Sequence, residues 1–161
     1  VVYLKVAARD DKGQPTKLNP SQFASLTSYM NTVKDAGVAI KLVNEDADKI
    51  QISMVVYYDP TAMDSNGTTN DGKEPVVEAV KAVITNLPFN GVFRKSDLLA
   101  AVTAVPGVEG ADVERVRVKT ANAAAFMDVV GYDKPYSGYY AIDRLNITYN
   151  SYDALNNPTA E

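Results

Sequence analysis

The stretch Leu87-Pro88-Phe89-Asn90-Gly91, followed by Ser96-Asp97-Leu98-Leu99-Ala100-Ala101-Val102 and by Val105-Pro106-Gly107-Val108, constrains this chain more than any other. It reads as a helix end, a tight turn, a short helix capped by Ser96, a second turn and the start of a strand. None of these residue types in this arrangement is a plausible catalyst. They set backbone geometry and packing, so the best-specified part of the chain specifies shape.

The surrounding pattern is mixed α and β. Residues 1–8, rich in Val and Tyr, read as a strand, and the run Asp10 to Pro15 as a polar turn. Asn19 is placed to cap a helix, with Pro20 at its first position and Gln22 completing a capping box. Phe23, Leu26, Met30 and Val33 then recur at helical spacing, and Gly37 is the expected stop. Val38, Ile40 and Leu42 alternate as on a half-buried strand, and Ile50, Ile52, Met54, Val56 and Tyr58 form the clearest strand of all. The short polar turn between these two runs predicts an antiparallel hairpin.

A long polar loop over 59–74 precedes a helix beginning near Pro75, whose buried face is predicted to carry Val76, Val80, Val83, Ile84 and Leu87. Val113 to Lys119 reads as a strand with Val116 and Val118 on one face, Arg115 and Arg117 on the other. Strands are also expected at 126–130, 138–142 and 145–149, and a frayed tail at 151–161.

This β-α-β-β-α-α-β order up to residue 119 predicts an α+β, ferredoxin-like (split β-α-β) antiparallel sheet with helices on one face. Residues 120–150 would extend the same domain as strands or a hairpin. A length of 161 residues, 46% of them hydrophobic, suits one domain or two small ones.

Composition narrows function more by what is missing. The chain has no His and no Cys, which removes the commonest general base and transition-metal ligand, thiolate metal sites and disulfides. A net charge of −4 argues against a general nucleic-acid binder. No apolar run approaches the roughly 20 residues a membrane helix needs. Val1 to Val6 reads as a strand and not as a signal peptide, and residue 1 is not Met, so a piece of a longer protein is expected.

With these turns and this order in place, the chain resembles the baseplate J-like family, wedge proteins of contractile phage tails and related injection machines. The resemblance rests on Leu87 to Gly91, Ser96-Asp97-Leu98-Leu99, Val105 to Val108, Asp35-Ala36-Gly37-Val38 entering a strand, and Tyr57-Tyr58-Asp59-Pro60. It covers roughly residues 1–150 and corresponds to the C-terminal part of such proteins. It implies a structural module of a tail baseplate, prophage-encoded in bacteria, with no catalysis and no cofactor. Its partners would be other baseplate or tail subunits, with self-association a further expectation, and neither nucleic acid nor a membrane. It would reside in the bacterial cytoplasm during assembly and in the virion tail or a tail-like particle afterwards.

Two other readings compete. A metal-dependent nucleotidyltransferase, a label carried by some similar prophage-encoded chains, needs a Gly-Ser or Gly-Gly turn followed by two closely spaced carboxylates on a strand. Asp112 and Glu114 have the spacing but no such turn before them, and the strand Ile50 to Tyr58 has no carboxylate. A small-ligand or peptide-binding α+β module would need a deep apolar pocket. Phosphate-loop and dinucleotide fingerprints are absent.

The residues best placed for partner contact lie in two segments. Tyr132, Tyr136, Tyr139 and Tyr140 crowd a turn-rich stretch, and alternation implies that about half of these rings point outward. The polar loop carries Asp64, Asn66, Asn70 and Asp71, with Asp59 at its start. Its register does not match an EF-hand, so a mobile, solvated connection is expected there, with partner contact as its functional alternative. Arg115, Arg117 and Lys119, interleaved with Val, read as a solvated sheet face or as salt bridges to a neighbouring subunit.

Overall fold

The computed structural model describes residues 1–152. Its centre is one strand, β5 (Asp48–Tyr58), in which every second side chain is buried: Asp48, Ile50, Ile52, Met54, Val56 and Tyr58. Fully burying a Val, Ile or Met side chain stabilises by about 1.5–3 kcal/mol, so this strand is held wherever it can be covered on one face and paired on both edges. It is paired in parallel with β10 (Tyr140–Ser151) and antiparallel with β7 (Val108–Lys119). A short strand β8 (Met127–Asp128) adds to β7, giving a four-stranded mixed sheet in the order β10-β5-β7-β8.

Two helices cover one face of this sheet. Helix α2 (Pro75–Thr85) buries Val76, Val80 and Ile84, with Val83 and Leu87 partly buried against the same core. Helix α3 (Lys95–Thr103) buries Leu98 and Val102 and packs on α2 and β7. Phe93 and Val116 complete the centre of the core. The opposite face of the sheet carries polar and charged residues.

The N-terminal third forms a second layer of pairing. Strand β1 (Val2–Lys5) pairs in parallel with β4 (Ile40–Val43), joined through helix α1 (Pro20–Val33). A small hairpin of β2 (Ala8–Arg9) and β3 (Pro15–Thr16) lies between β1 and α1. The predicted capping box is present: Gln22 N donates to Asn19 Oδ1 at 2.8 Å and Asn19 N to Gln22 Oε1 at 3.0 Å. The apolar stripe of α1 is only partly covered: Phe23, Leu26 and Met30 are half-buried and Val33 is exposed. This helix stops at Val33, where Lys34 turns extended, and Gly37 (φ 85) instead serves the turn into β4.

Several expectations are corrected. The predicted hairpin of the strands at 38–42 and 50–58 does not form. Asn44 ties the exit of β4 to the entry of α1, accepting from Leu18 N (2.8 Å) and donating to Leu18 O (3.0 Å). Asp48 N is then taken by Tyr139 O at 3.0 Å, which starts the parallel pairing of β5 with β10. The sheet is therefore mixed, not antiparallel throughout. Ser96 is not an N-cap: α3 begins one residue earlier, and Lys95 N donates to Gly131 O at 2.9 Å. The strands expected at 138–142 and 145–149 are one twelve-residue strand with a bulge at Asp143, where register shifts between Ile142 and Arg144. The strand expected at 126–130 shrinks to β8. Of the tail expected at 151–161, Ser151 ends β10, and residues 153–161 lie outside the described residues.

Candidate functional site

The turn that opens the argument at Leu87 to Gly91 acts as one jaw of a clamp, and the tyrosine-rich segment is what it holds. Asn90 adopts a left-handed conformation (φ 62) and its N–H donates to Gly138 O at 2.7 Å. Phe89 lies against Gly138 so closely that a Cβ there would sit 2.6 Å from the ring, and Gly138 itself has φ 100. Phe89 also stacks, tilted, on Tyr139 with ring centroids 6.3 Å apart. Just beyond, β6 (Phe93–Arg94) pairs with β9 (Tyr132–Asp133), and buried Phe93 meets Tyr140 edge-on at 6.2 Å.

Asp48 supplies the other jaw. It is a carboxylate only 3% exposed at the start of β5. Its two oxygens accept from Tyr136 N (2.8 Å) and Ser137 N (3.0 Å). Buried Ser137 accepts from Asp48 N (3.1 Å) and donates to Tyr139 O (2.9 Å), closing the loop of bonds. Lys5 reaches from β1 to donate to Pro135 O and to Asn90 Oδ1, tying the first jaw to the held segment. Burial and the neighbouring Lys134 lower the Lys5 pKa, with Asp48 and Asp133 opposing them. Buried polar groups are tolerated when hydrogen-bonded, and here most of these bonds fix the backbone of 135–139.

The four tyrosines divide cleanly. Tyr139 donates to Glu45 O (3.0 Å) and Tyr140 to Asp133, and burial is the main cause raising both hydroxyls above their ordinary range. Tyr132, 70% exposed, and Tyr136, 48% exposed, point to solvent. Two rings thus anchor the segment and two are displayed.

The polar loop is built differently from the mobile connection expected. Met63 is buried, Asp59 N donates to Gly107 O (2.8 Å), and buried Gly67 lies directly under the Tyr149 ring. Its carboxylates organise turns. Asp59 accepts from Thr61 N and Oγ1, Asp64 from Asn66 N and Thr68 N, and Asp71 from Thr69 Oγ1. These bonds hold the Asp59 and Asp71 carboxyls below the usual carboxylate range. Asn66 and Asn70 are exposed at the loop tips. Loop and tyrosine segment are not brought together: the first follows the end of β5, the second braces its beginning.

Asp112 and Glu114 are both exposed on β7, with Glu114 at a bulge, and Asp112 accepts a long bond from Tyr57 Oη (3.4 Å). Among the described residues, no group of three or more acidic, His or Cys side chains is placed to hold a metal ion. A groove of about 660 Å³ is open and lies between α1 and β4, around Phe23 and Leu42. No helix of the described residues is long and apolar enough to cross a membrane.

Sequence reasoning missed two features. Asp48 looks like a turn residue in Asn44-Glu45-Asp46-Ala47-Asp48, and nothing local marks it as buried. The exposed apolar side chains Val2, Tyr3 and Leu4 of β1 read as ordinary strand residues, because exposure of a strand depends on what the fold lays over it. No family model and no curated protein matches this chain.

Proposed function

We propose that this chain is a structural module of a phage or phage-like tail baseplate wedge protein, acting in subunit–subunit assembly without catalysis of its own. The observation that carries the reading is the clamped display of Tyr132 and Tyr136. Tyrosine gives large contact area at small entropic cost, and a surface already ordered before binding loses less on association. A segment locked by a buried carboxylate, a lysine and a left-handed Asn is ordered in this sense.

The exposed Val2, Tyr3 and Leu4 of β1 offer a second apolar contact surface. Other baseplate or tail subunits are the partners of this reading, and the assembled tail is its place. The split β-α-β interpretation belongs with it, with β5, α2, α3, β7 and β10 as the sheet-and-helix body that carries the contacts.

A photo-crosslinking residue at position 132 or 136 tests the proposal in assembled tail particles. It should join the chain to a neighbouring tail subunit. Particles that contain the chain but yield no such product from either position, or a chain absent from purified particles, would overturn it.

A further inference from the structure

We propose that the solvent face of the main sheet receives the acidic pole of a second copy of this chain, joining protomers head to tail. The proposal rests on the assembly reading for its purpose and on the placement of charge along β5 for its content.

The register of the sheet sorts its outer face into rungs. Lys49 stands between Lys119 and Ala141, Gln51 between Arg117 and Arg144, and Ser53 between Arg115 and Asn146. Five cations therefore share three rungs, about 13 Å of strand at ~3.3 Å per residue. Two carboxylates lie among them. Asp128 is paired with Arg115 at 2.6 Å, and Asp143 accepts from Gln51 Nε2 at 2.7 Å. Arg117 is held by Gln51 Oε1 at 2.7 Å, and Arg117 and Lys119 both lie over the Phe126 ring at 5.7 Å. Asp128, cross-strand from Arg117 as well as paired with Arg115, offsets part of the Arg117 charge, and these contacts orient Lys119, Lys49 and Arg144 without neutralising them. The three arginines surround a dent of about 100 Å³ floored by Gln51, Ser53 and Asn146. Ligand pockets run to about 300–1,000 Å³, so this dent suits one carboxylate, which the planar guanidinium fork binds in bidentate fashion.

The other end of the same sheet is acidic. The Val55 rung carries Asp112, and from there to Tyr58 the rungs carry no cation. The chain then enters the loop and α2, where Asp64, Asp71, Glu74 and Glu78 are all exposed. Gly67 N donates to Asp64 O at 2.9 Å and Gly67 lies under the Tyr149 ring, which brings the Asp64 turn to the far end of β10. Lys73 is paired with Asp71 at 3.5 Å. Lys49 and Tyr58 are nine residues apart on one strand, about 30 Å. Asp112 stands only two residues along the strand from the Arg115 rung, about 7 Å, within the roughly 8 Å of screening at physiological salt. Tyr58, where β5 gives way to the loop, is seven residues from the Gln51 rung, about 23 Å, so the loop carboxylates leave Arg117 and Lys49 unneutralised. Each pole is left to complement the opposite pole of a neighbour.

A polynucleotide fits this face less well. The chain is net −4, carboxylates interrupt the cations, and Phe126 is covered by two of them and not free to stack on a base. A head-to-tail contact is heterologous, so repetition closes a ring or runs on as a filament.

Charge-reversal complementation tests this with the 161-residue chain. In sedimentation velocity the chain should self-associate with rising concentration at low salt and less at about 0.5 M salt. Arg117→Glu with Arg144→Glu should weaken association by about tenfold or more, as should Glu74→Lys with Glu78→Lys. Mixed in equal amounts, the two variants should associate again, because each supplies the pole the other lacks. Arg144→Ser alone, a milder change, should weaken association without altering the thermal melt. A chain that stays monomeric at low salt, variants that associate undiminished, or a mixture that fails to recover would overturn the proposal. So would tighter binding of a labelled DNA duplex than of a second copy. A monomeric chain that still crosslinks to tail subunits through position 132 or 136 would sink this docking alone and leave the assembly reading standing.

Discussion

At the residue scale, two buried polar groups have opposite energetics. Asp48 spends both oxygens on backbone N–H groups of the tyrosine segment. An Asn in its place keeps the shape but presents an NH2 where one of those N–H groups needs an acceptor. Leaving a buried donor unsatisfied costs about 1–3 kcal/mol, so Asp48→Asn should lower stability by that amount in urea unfolding, with the m-value unchanged. The Tyr149 hydroxyl is buried and has no hydrogen-bond partner among the described residues, while its ring meets Tyr58 edge-on at 6.3 Å. Tyr149→Phe removes the unpaired group and keeps the ring. It should leave stability unchanged or raise it by about 1 kcal/mol, read from the same unfolding curves.

At the scale of the element, the tyrosine segment keeps its shape through its neighbours. It has one two-residue strand, β9, and otherwise turns. What holds it is the Phe89–Asn90 turn on one side and Asp48 on the other. Gly138 is the tightest point, since its φ of 100 and its closeness to Phe89 both exclude a side chain. Gly138→Ala should therefore cost about 2–4 kcal/mol, combining backbone strain with displacement of a packed ring. Amides of 131–139 should lose hydrogen-exchange protection in this variant while those of β5 keep theirs. Protection lost equally across β5 would mean that the segment is part of the core and not a clamped appendage. The bulge at Asp143 belongs to the same scale: one extra residue lets a twelve-residue strand follow β5 while keeping Ile142, Leu145 and Ile147 on the core side.

At the scale of the whole molecule, stability is uneven. The sheet β10-β5-β7 and helices α2 and α3 share one buried cluster, whereas no residue of α1 is fully buried and, among the described residues, β1 pairs only with β4. Regions with few buried apolar contacts open at lower free energy than the core. Native-state hydrogen exchange should show α1, β1 and β4 exchanging through a sub-global opening well before the β5 and β7 amides. Uniform exchange across both parts would contradict it. This uneven build suits a body whose rigid sheet carries the charged poles while its outer layer leaves apolar side chains uncovered for a neighbour.

Much of the local structure was legible in the residues themselves. The Asn19–Gln22 capping box, the alternation of β5 and the face of α2 follow from short-range chemistry: a cap needs only three residues, and a pleat repeats every two. Strand partners were not legible, because the alternation of Val38, Ile40 and Leu42 is satisfied equally by β5 or by β1. The choice fell to Asn44 gripping Leu18 and to Asp48 bonding Tyr139, contacts that span 26 and 91 residues or more of chain. The outward tyrosines were foreseeable from alternation, yet which two turn out depended on where the Phe89 turn and Asp48 take hold. By itself the amino-acid order determined the main helices and the strand β5, with the buried faces of α2 and β5. Only the tertiary structure decided their partners, the burial of Asp48 and the gathering of cations on one end of a sheet, since these depend on segments distant in sequence being brought within bonding distance.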